Sequence, residues 1–376
     1  MGLPAFAPFL LLLAAARAAA QVTELPSPAQ EGSIGPNLFA AADGRILLSW
    51  IDRLPGGRHA LRFSVREGSG WSAPRLVAEG ADWFVNWADF PSVVALPDGT
   101  LAAHWLVRST GAPHAYEVRI ARSHDGGASW SAPVIPHRDG KPAEHGFVSL
   151  FPARGGKLGA AWLDGREMPA DAAGQARDSG AMTLRFAALA PDGTLEDEAL
   201  LDARVCDCCQ TAAAVTTAGP LIVYRDRTDA EIRDVARLRQ HDGAWTQPQE
   251  IAADGWEIRG CPVNGPAAAA QGRRVAVAWF TAAHDAPRVK IAFSSDAGAS
   301  FDTPVSVDDG RPLGRVDTVL LDDGSAIVSW VESAPAGSSL RLRRVGRGGR
   351  ARPRGRRRTG RRAATERISA DGPRGW

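Results

Sequence analysis

The residues most readily assigned a chemistry are the cysteines. There are four in the chain, three of them in the run Cys206-Asp207-Cys208-Cys209, with Cys261 farther on. In an oxidising compartment four thiols make two disulfides. Cys208 and Cys209 are adjacent and would close only a strained ring with each other, whereas a bridge to Cys261 is open. The same set also suits a thiolate metal site, its soft sulfur ligands favouring copper(I) or zinc, with His145 as an extra ligand. Both readings stand on the sequence. A second group is Asp52-Arg53, Asp164-Gly165-Arg166-Glu167, and Arg225-Asp226-Arg227 followed by Glu231 and Arg233-Asp234. A guanidinium fork matches a carboxylate bidentately, so these arginines either bind an anionic ligand or brace loops through Arg–Asp pairs. A third is the stretch from Asp82 to Asp89, where Trp83 and Trp87 offer a stacking platform.

What must position these residues is a repeat. Ser123-His124-Asp125-Gly126-Gly127-Ala128-Ser129-Trp130 is a turn with its own lock. Asp125 and Ser123 hydrogen-bond their own loop, Gly126 and Gly127 supply positive φ, and Trp130 pins the turn onto a sheet. A second copy runs from Ser294 to Phe301; a worn copy, Ser64 to Trp71, carries Arg66 where Asp belongs. In the same frame, Trp50, Trp105, Trp162, Tyr224, Trp279 and Trp330 each end a short apolar strand, at spacings of 55, 57, 62, 55 and 51 residues. Gly44, Gly99, Gly156, Gly219, Gly272 and Gly324 mark the turn before each. Six copies of a four-stranded meander predict an all-β, six-bladed β-propeller over residues 30–340. The last blade is incomplete, its third strand being at best Leu340 to Val345.

Propeller topology sorts the loops. Connections between strands two and three, and crossovers into each first strand, share one mouth; the locked turns share the other face. The cysteines, the Arg/Asp clusters and the Trp83–Trp87 stretch all fall on that first mouth, where blades converge on the axis and a site is expected.

Composition bounds the rest. The chain is 44% apolar and 23% charged, ordinary for a soluble globular protein. Met1 to Ala20 has an apolar core and small residues before Gln21, as in a secretory signal peptide. The expectation is a secreted or periplasmic protein with no membrane attachment after cleavage. Residues 341–376 hold fourteen Arg against Glu366 and Asp371, a balance of +12, so the remainder carries −10 of the net +2. An acidic, exported, β-rich body gives no support for a nucleic-acid partner. Residues 346–376 have no strand pattern and cannot bury a core. They read either as a natural disordered tail or as an out-of-frame reading of a GC-rich gene.

The octet pattern S-x-D-x-G-x-[ST]-[WF] resembles the Asp-box (BNR) repeat of the sialidase superfamily, and the resemblance covers about residues 30–340. It implies a monomeric exported glycoside hydrolase acting on sialic acid or a related acidic sugar, with no cofactor. Sialidases hold the sialate carboxylate with three Arg, use an Asp as acid/base, and attack with a Tyr activated by Glu. Carried over by position, the arginines are Arg166 and Arg225 with Arg53 or Arg227. Asp89 or Asp82 is the acid/base, and Tyr224 with Glu231 is the nucleophile pair. The match departs from the family in placing that tyrosine in blade four and in lacking an Arg-Ile-Pro type motif before blade one. Two other functions stay open: a non-catalytic propeller binding a glycan or protein partner, and a periplasmic metal-binding protein built on Cys206, Cys208, Cys209 and Cys261.

Overall fold

The computed structural model describes residues 23–109, 115–168, 180–335 and 337–348; the expected signal peptide and most of the Arg-rich tail lie outside them. Among the described residues no helix is long and apolar enough to cross a membrane. Runs such as ILLSW and VAVAW, rich in β-branched and aromatic residues and bounded by turn glycines, form strands. The strands gather into six sheets, each an antiparallel meander in sequence order. Their central strands are Ile46–Arg53, Leu101–Arg108, Leu158–Asp164, Gly219–Arg225, Arg274–Thr281 and Ala326–Ala334. Leu158–Asp164 shows the pattern: Ala161 faces Ser149 on one side and Phe186 on the other. The fold is therefore the six-bladed propeller that the repeat predicts. Blade six holds three strands, Pro312–Leu320, Ala326–Ala334 and Gly337–Val345.

Successive blades bury their faces against each other. Leu47, Phe63, Val93 and Trp105 fill the first interface, and Val94, Ile120, Leu150 and Trp162 the second. Phe151, Phe186 and Tyr224 fill the third, and Trp279 and Trp330 sit in the last two. Between blades six and one the matching faces are more open: Val319 (47%), Leu340 (51%) and Leu38 (60%) remain exposed.

Four of the periodic tryptophans are fixed by carboxylates. Trp50 Nε1 donates to Asp52 (2.8 Å), Trp162 Nε1 to Asp164 (2.7 Å) and Trp330 Nε1 to Glu332 (2.8 Å). Residues two apart on a strand point to the same face, so the sequence W-x-[DE] places acceptor beside donor. Trp279 instead donates to Asp254 (2.7 Å), from the end of the preceding blade.

The locked turns form as the sequence suggests. Asp125 accepts from Ser123 Oγ (2.7 Å), Ser129 N (2.9 Å) and Ser129 Oγ (2.5 Å), while Gly127 N donates to Ser123 Oγ (2.8 Å). Asp296 repeats the pattern with Ser294 and Ser300. The Ser129 hydrogen bonds hold the Asp125 carboxyl well below the usual range. In the worn copy Arg66 takes over: its guanidinium donates to Gly70 O (2.6 Å) and lies 6.0 Å from the Trp71 ring. Gly126 and Gly127 both have left-handed φ, 69° and 91°. They differ in their surroundings. A Cβ on Gly127 would stand 2.4 Å from the Phe63 ring, whereas on Gly126 it would meet only the Arg75 side-chain tip at 3.6 Å.

These surroundings predict unequal alanine effects in equilibrium urea unfolding. Gly126→Ala is expected to lose about 1–2 kcal/mol, the strain of a left-handed backbone. Gly127→Ala should lose roughly 1–3 kcal/mol more by overpacking against Phe63. Equal losses would refute the packing argument.

Candidate functional site

Four thiols meet where two crossovers approach each other. Strand Leu195–Val205 ends on a bridge from Val205 to Asp226, and Cys206 N then donates to Arg225 O (3.0 Å). The next crossover packs so closely that a Cβ on Gly265 would stand 1.9 Å from Gln210 O, so only glycine passes. The result places Cys206 Sγ 3.4 Å from Cys209 Sγ. The sulfurs of Cys206, Cys208 and Cys209 all lie within 4.8 Å of one another. Cys208 is also in side-chain hydrogen-bonding reach of Cys261. All four are free thiols; Cys206 and Cys209 are buried and Cys261 is exposed.

Charged side chains surround the sulfurs. Arg233 Nη1 donates to Cys206 Sγ (3.4 Å) and its Nη2 to Glu231 (2.9 Å). Arg227 bridges Glu231 (2.7 Å) and Asp207 (3.1 Å). Arg315 lies 4.2 Å from the ring of Trp87, which is 53% exposed. Although burial opposes charge on Cys206, hydrogen bonds from Cys208 and Cys209 and the charges of Arg233 and Arg225 bring its thiol well below the ordinary value.

A second centre adjoins the first. Asp89 is 2% exposed, and the Tyr116 hydroxyl and the Phe147 amide are the donors beside its carboxyl. It lies against Gly146, where a Cβ would stand 1.9 Å from Asp89 Oδ2 and 2.8 Å from the Tyr116 ring. Burial pushes Asp89 up to about 7. Glu144 also rises to about 7, through burial and then the neighbouring charge of Asp207. Tyr116, in strand Tyr116–Ser123, is stacked on Phe84 at 3.9 Å. Burial, then Glu144 and Asp89, hold its hydroxyl well above the ordinary tyrosine value.

Backbone strain gathers on the same face. Among the described residues eight non-glycine residues have positive φ; Glu231, Val263, His284 and Asp285 lie on crossovers or two-to-three loops, and Phe147 and Arg315 near the start of the first strands of blades three and six. Val263 at 48° is the most telling, since a β-branched residue there is a genuine outlier.

The residues expected from sequence separate into three outcomes. Asp89, Trp87, Arg227, Glu231 and the cysteines come together at the mouth. Asp82 and Arg53 are exposed on its rim. The others serve the scaffold. Trp83 is 5% exposed and stacks on Trp105 at 6.1 Å, so it is core and not a platform. Tyr224 donates its hydroxyl to Asp202 (2.5 Å), while Glu231 is engaged by two arginines, so these do not form a nucleophile pair. Arg225 is 1% exposed; it donates to the carbonyls of Asn264, Arg233 and Phe280 and lies 4.8 Å from the Trp256 ring. Arg166 is held bidentately by Asp164 (2.8 and 2.7 Å). His145 does not reach the thiols. Its Nε2 faces Asp139 (3.2 Å), and its ring stacks on His137 at 3.6 Å. His137, Asp139 and His145 bring three ligand atoms together, but Arg166, 3.5 Å from Asp139, already supplies the positive charge there.

The sequence matches no protein-family model and no curated protein. In structure it resembles a protein of unknown function from Dyadobacter fermentans, with 18% identity, 82% of this chain and 93% of that one covered, and a TM-score of 0.53. It also resembles the GH93 α-L-arabinofuranosidase of Fusarium graminearum, with 12% identity, 84% and 93% covered, and a TM-score of 0.53. The NanB sialidase of Streptococcus pneumoniae has 10% identity, 84% and 69% covered, and a TM-score of 0.53. These likenesses show a sialidase-like propeller fold.

The Asp89 environment predicts a pH-dependent stability. Its folded-state value lies above the unfolded one, so its contribution is present below about pH 4 and is lost as pH rises through 7. Asp89→Asn removes that loss. Its unfolding free energy relative to wild type should therefore rise from pH 5 to about pH 7, by about 1.4 kcal/mol per unit of pH, and level off above that. A difference that stays flat with pH contradicts the assignment.

Proposed function

We propose that this chain is an exported carbohydrate-active propeller that engages an acidic sugar at its crossover mouth and hydrolyses its glycosidic bond, with Asp89 as proton donor. The observation that carries this reading is the buried carboxyl of Asp89, raised to about 7 beside Tyr116 and Glu144. A glycosidic leaving group needs an acid that keeps its proton near neutral pH. Tyr116, not Tyr224, is the tyrosine at this centre, and Glu144 is its acidic partner. Arg227, Arg233 and Arg315 supply positive charge across the mouth, suited to an anionic sugar. Phe84 covers Tyr116, so a substrate that reaches this tyrosine must displace the Phe84 ring. The sugar-active neighbours with the same fold support the location, at the level of fold analogy. The signal-peptide pattern of Met1 to Ala20 supports export to the periplasm or beyond, and a monomer suffices for the site.

One observation favours a second reading, glycan binding without turnover. The arginines expected to hold a carboxylate already pair within the protein, Arg166 with Asp164 and Arg227 with Glu231, while Trp87 stays exposed beside Arg315.

Fluorogenic sialosides and uronides assayed from pH 5 to pH 8 separate the two. Hydrolysis predicts kcat/KM falling above pH 7, and an Asp89→Asn loss of about 10²–10⁴-fold in kcat with little change in KM. An absence of turnover at every pH, with glycan binding abolished by Trp87→Ala, would leave only the second reading.

A further inference from the structure

The thiol cluster takes no part in sugar chemistry as described above, and it forms a site of its own. We propose that Cys206, Cys208, Cys209 and Cys261 bind a single soft, thiophilic metal ion, copper(I), at the propeller mouth. The geometry fits such an ion. Metal–sulfur bonds of about 2.3 Å place sulfurs roughly 3.8 Å apart in a tetrahedral shell. The three sulfurs of the Cys206–Cys209 run lie within 4.8 Å of one another, with Cys206 and Cys209 at 3.4 Å, so small side-chain rotations close a shell around one centre.

The donor set selects the metal. It contains sulfur alone, since His145 points to Asp139 and Asp207 is engaged by Arg227, and soft thiolates favour copper(I). Zinc fits less well. Cys-x-Cys-Cys with one remote cysteine is not a zinc-binding spacing. Charge argues the same way. A monovalent ion leaves more net negative charge on the same thiolates than a divalent one does. Three arginines stand ready to offset it: Arg233 on Cys206 Sγ, with Arg225 and Arg315 close by. Arg233 is itself oriented by Glu231, whose φ of 60° is strained. That is the outer support a metal site requires. Two buried sulfurs retain the ion, while the exposed Cys261 on an irregular crossover gives it a route from solvent. The arrangement suits capture and release more than a closed structural site.

The test uses the full, reduced protein titrated anaerobically with copper(I) against the chelator bicinchoninate, followed by X-ray absorption at the copper edge. The expected result is one copper per chain in a sulfur-only shell at about 2.3 Å, and loss of uptake in Cys208→Ser at unchanged thermal stability. Arg233→Gln should weaken binding about 10–100-fold, as second-shell removal does. No uptake by the reduced protein, or a shell of nitrogen and oxygen, overturns the proposal. Zinc held in preference to copper(I) in direct competition overturns the choice of metal. If Cys208→Ser fails to fold, the absorption spectrum of the wild-type protein decides alone. Activity on sugars enters none of these readouts, so the result is independent of the hydrolase reading.

Discussion

A buried indole N–H is costly without an acceptor, and for three of the tryptophans that end a central strand the acceptor lies within the same strand. Trp50, Trp162 and Trp330 each donate to a carboxylate two residues on, an arrangement that the strand period brings together without help from any loop. The carboxylates then recruit arginines: Asp52 pairs with Arg62 (2.8 Å) and Asp164 with Arg166 (2.7 Å). A buried acid without partners would be costly; here Asp52 and Asp164 each have both a neutral and a charged donor. Blade five solves the same problem with Asp254, which also takes Lys290 (2.6 Å). Blade four solves it with Tyr224 and Asp202. The tyrosine that family position singles out is thus the blade-four member of a structural series.

With the central strands fixed in this way, the crossovers are where the chain can hold unusual geometry. Most left-handed non-glycine residues, the buried carboxyl of Asp89 and the convergent thiols collect there, although Ala297 in a locked turn and Asp242 in a hairpin turn are left-handed too. Strain of this kind persists only where surrounding structure over-determines it. The hairpin face has the opposite character. Asp125 and Asp296 are saturated by their own serines, leaving nothing to offer a ligand.

The fold was legible because its signals are local and repeated. A glycine turn followed by an apolar strand ending in an aromatic recurs six times, and each copy depends on only a handful of residues. The mouth was legible as a location, since topology alone sorts loops by face. The individual roles were not. Trp83 and Trp87 look alike in sequence, yet one stacks in the core on Trp105 and the other lies exposed beside Arg315. Arg225 and Arg227 differ by two residues and point to one side of a strand end, but only Arg227 reaches carboxylates; backbone carbonyls from three segments surround Arg225. Tyr116 lies in the third strand of blade two, and its neighbours Asp89 and Glu144 come from two different crossovers. Such groupings depend on how blades meet, which no single-strand pattern records. The acid two residues after Trp50, Trp162 and Trp330 was visible, and spacing would have revealed it.

The central claim is that the indole–carboxylate pairs hold the blades, and through them the mouth. A double-mutant cycle on Trp162→Phe and Asp164→Asn, read by equilibrium unfolding, tests it most directly. The account predicts a coupling energy of about 1–3 kcal/mol, as for residues that share one buried hydrogen bond. Effects that add to within about 0.5 kcal/mol would mean that the two side chains act independently, and the proposed basis of the fold would be wrong.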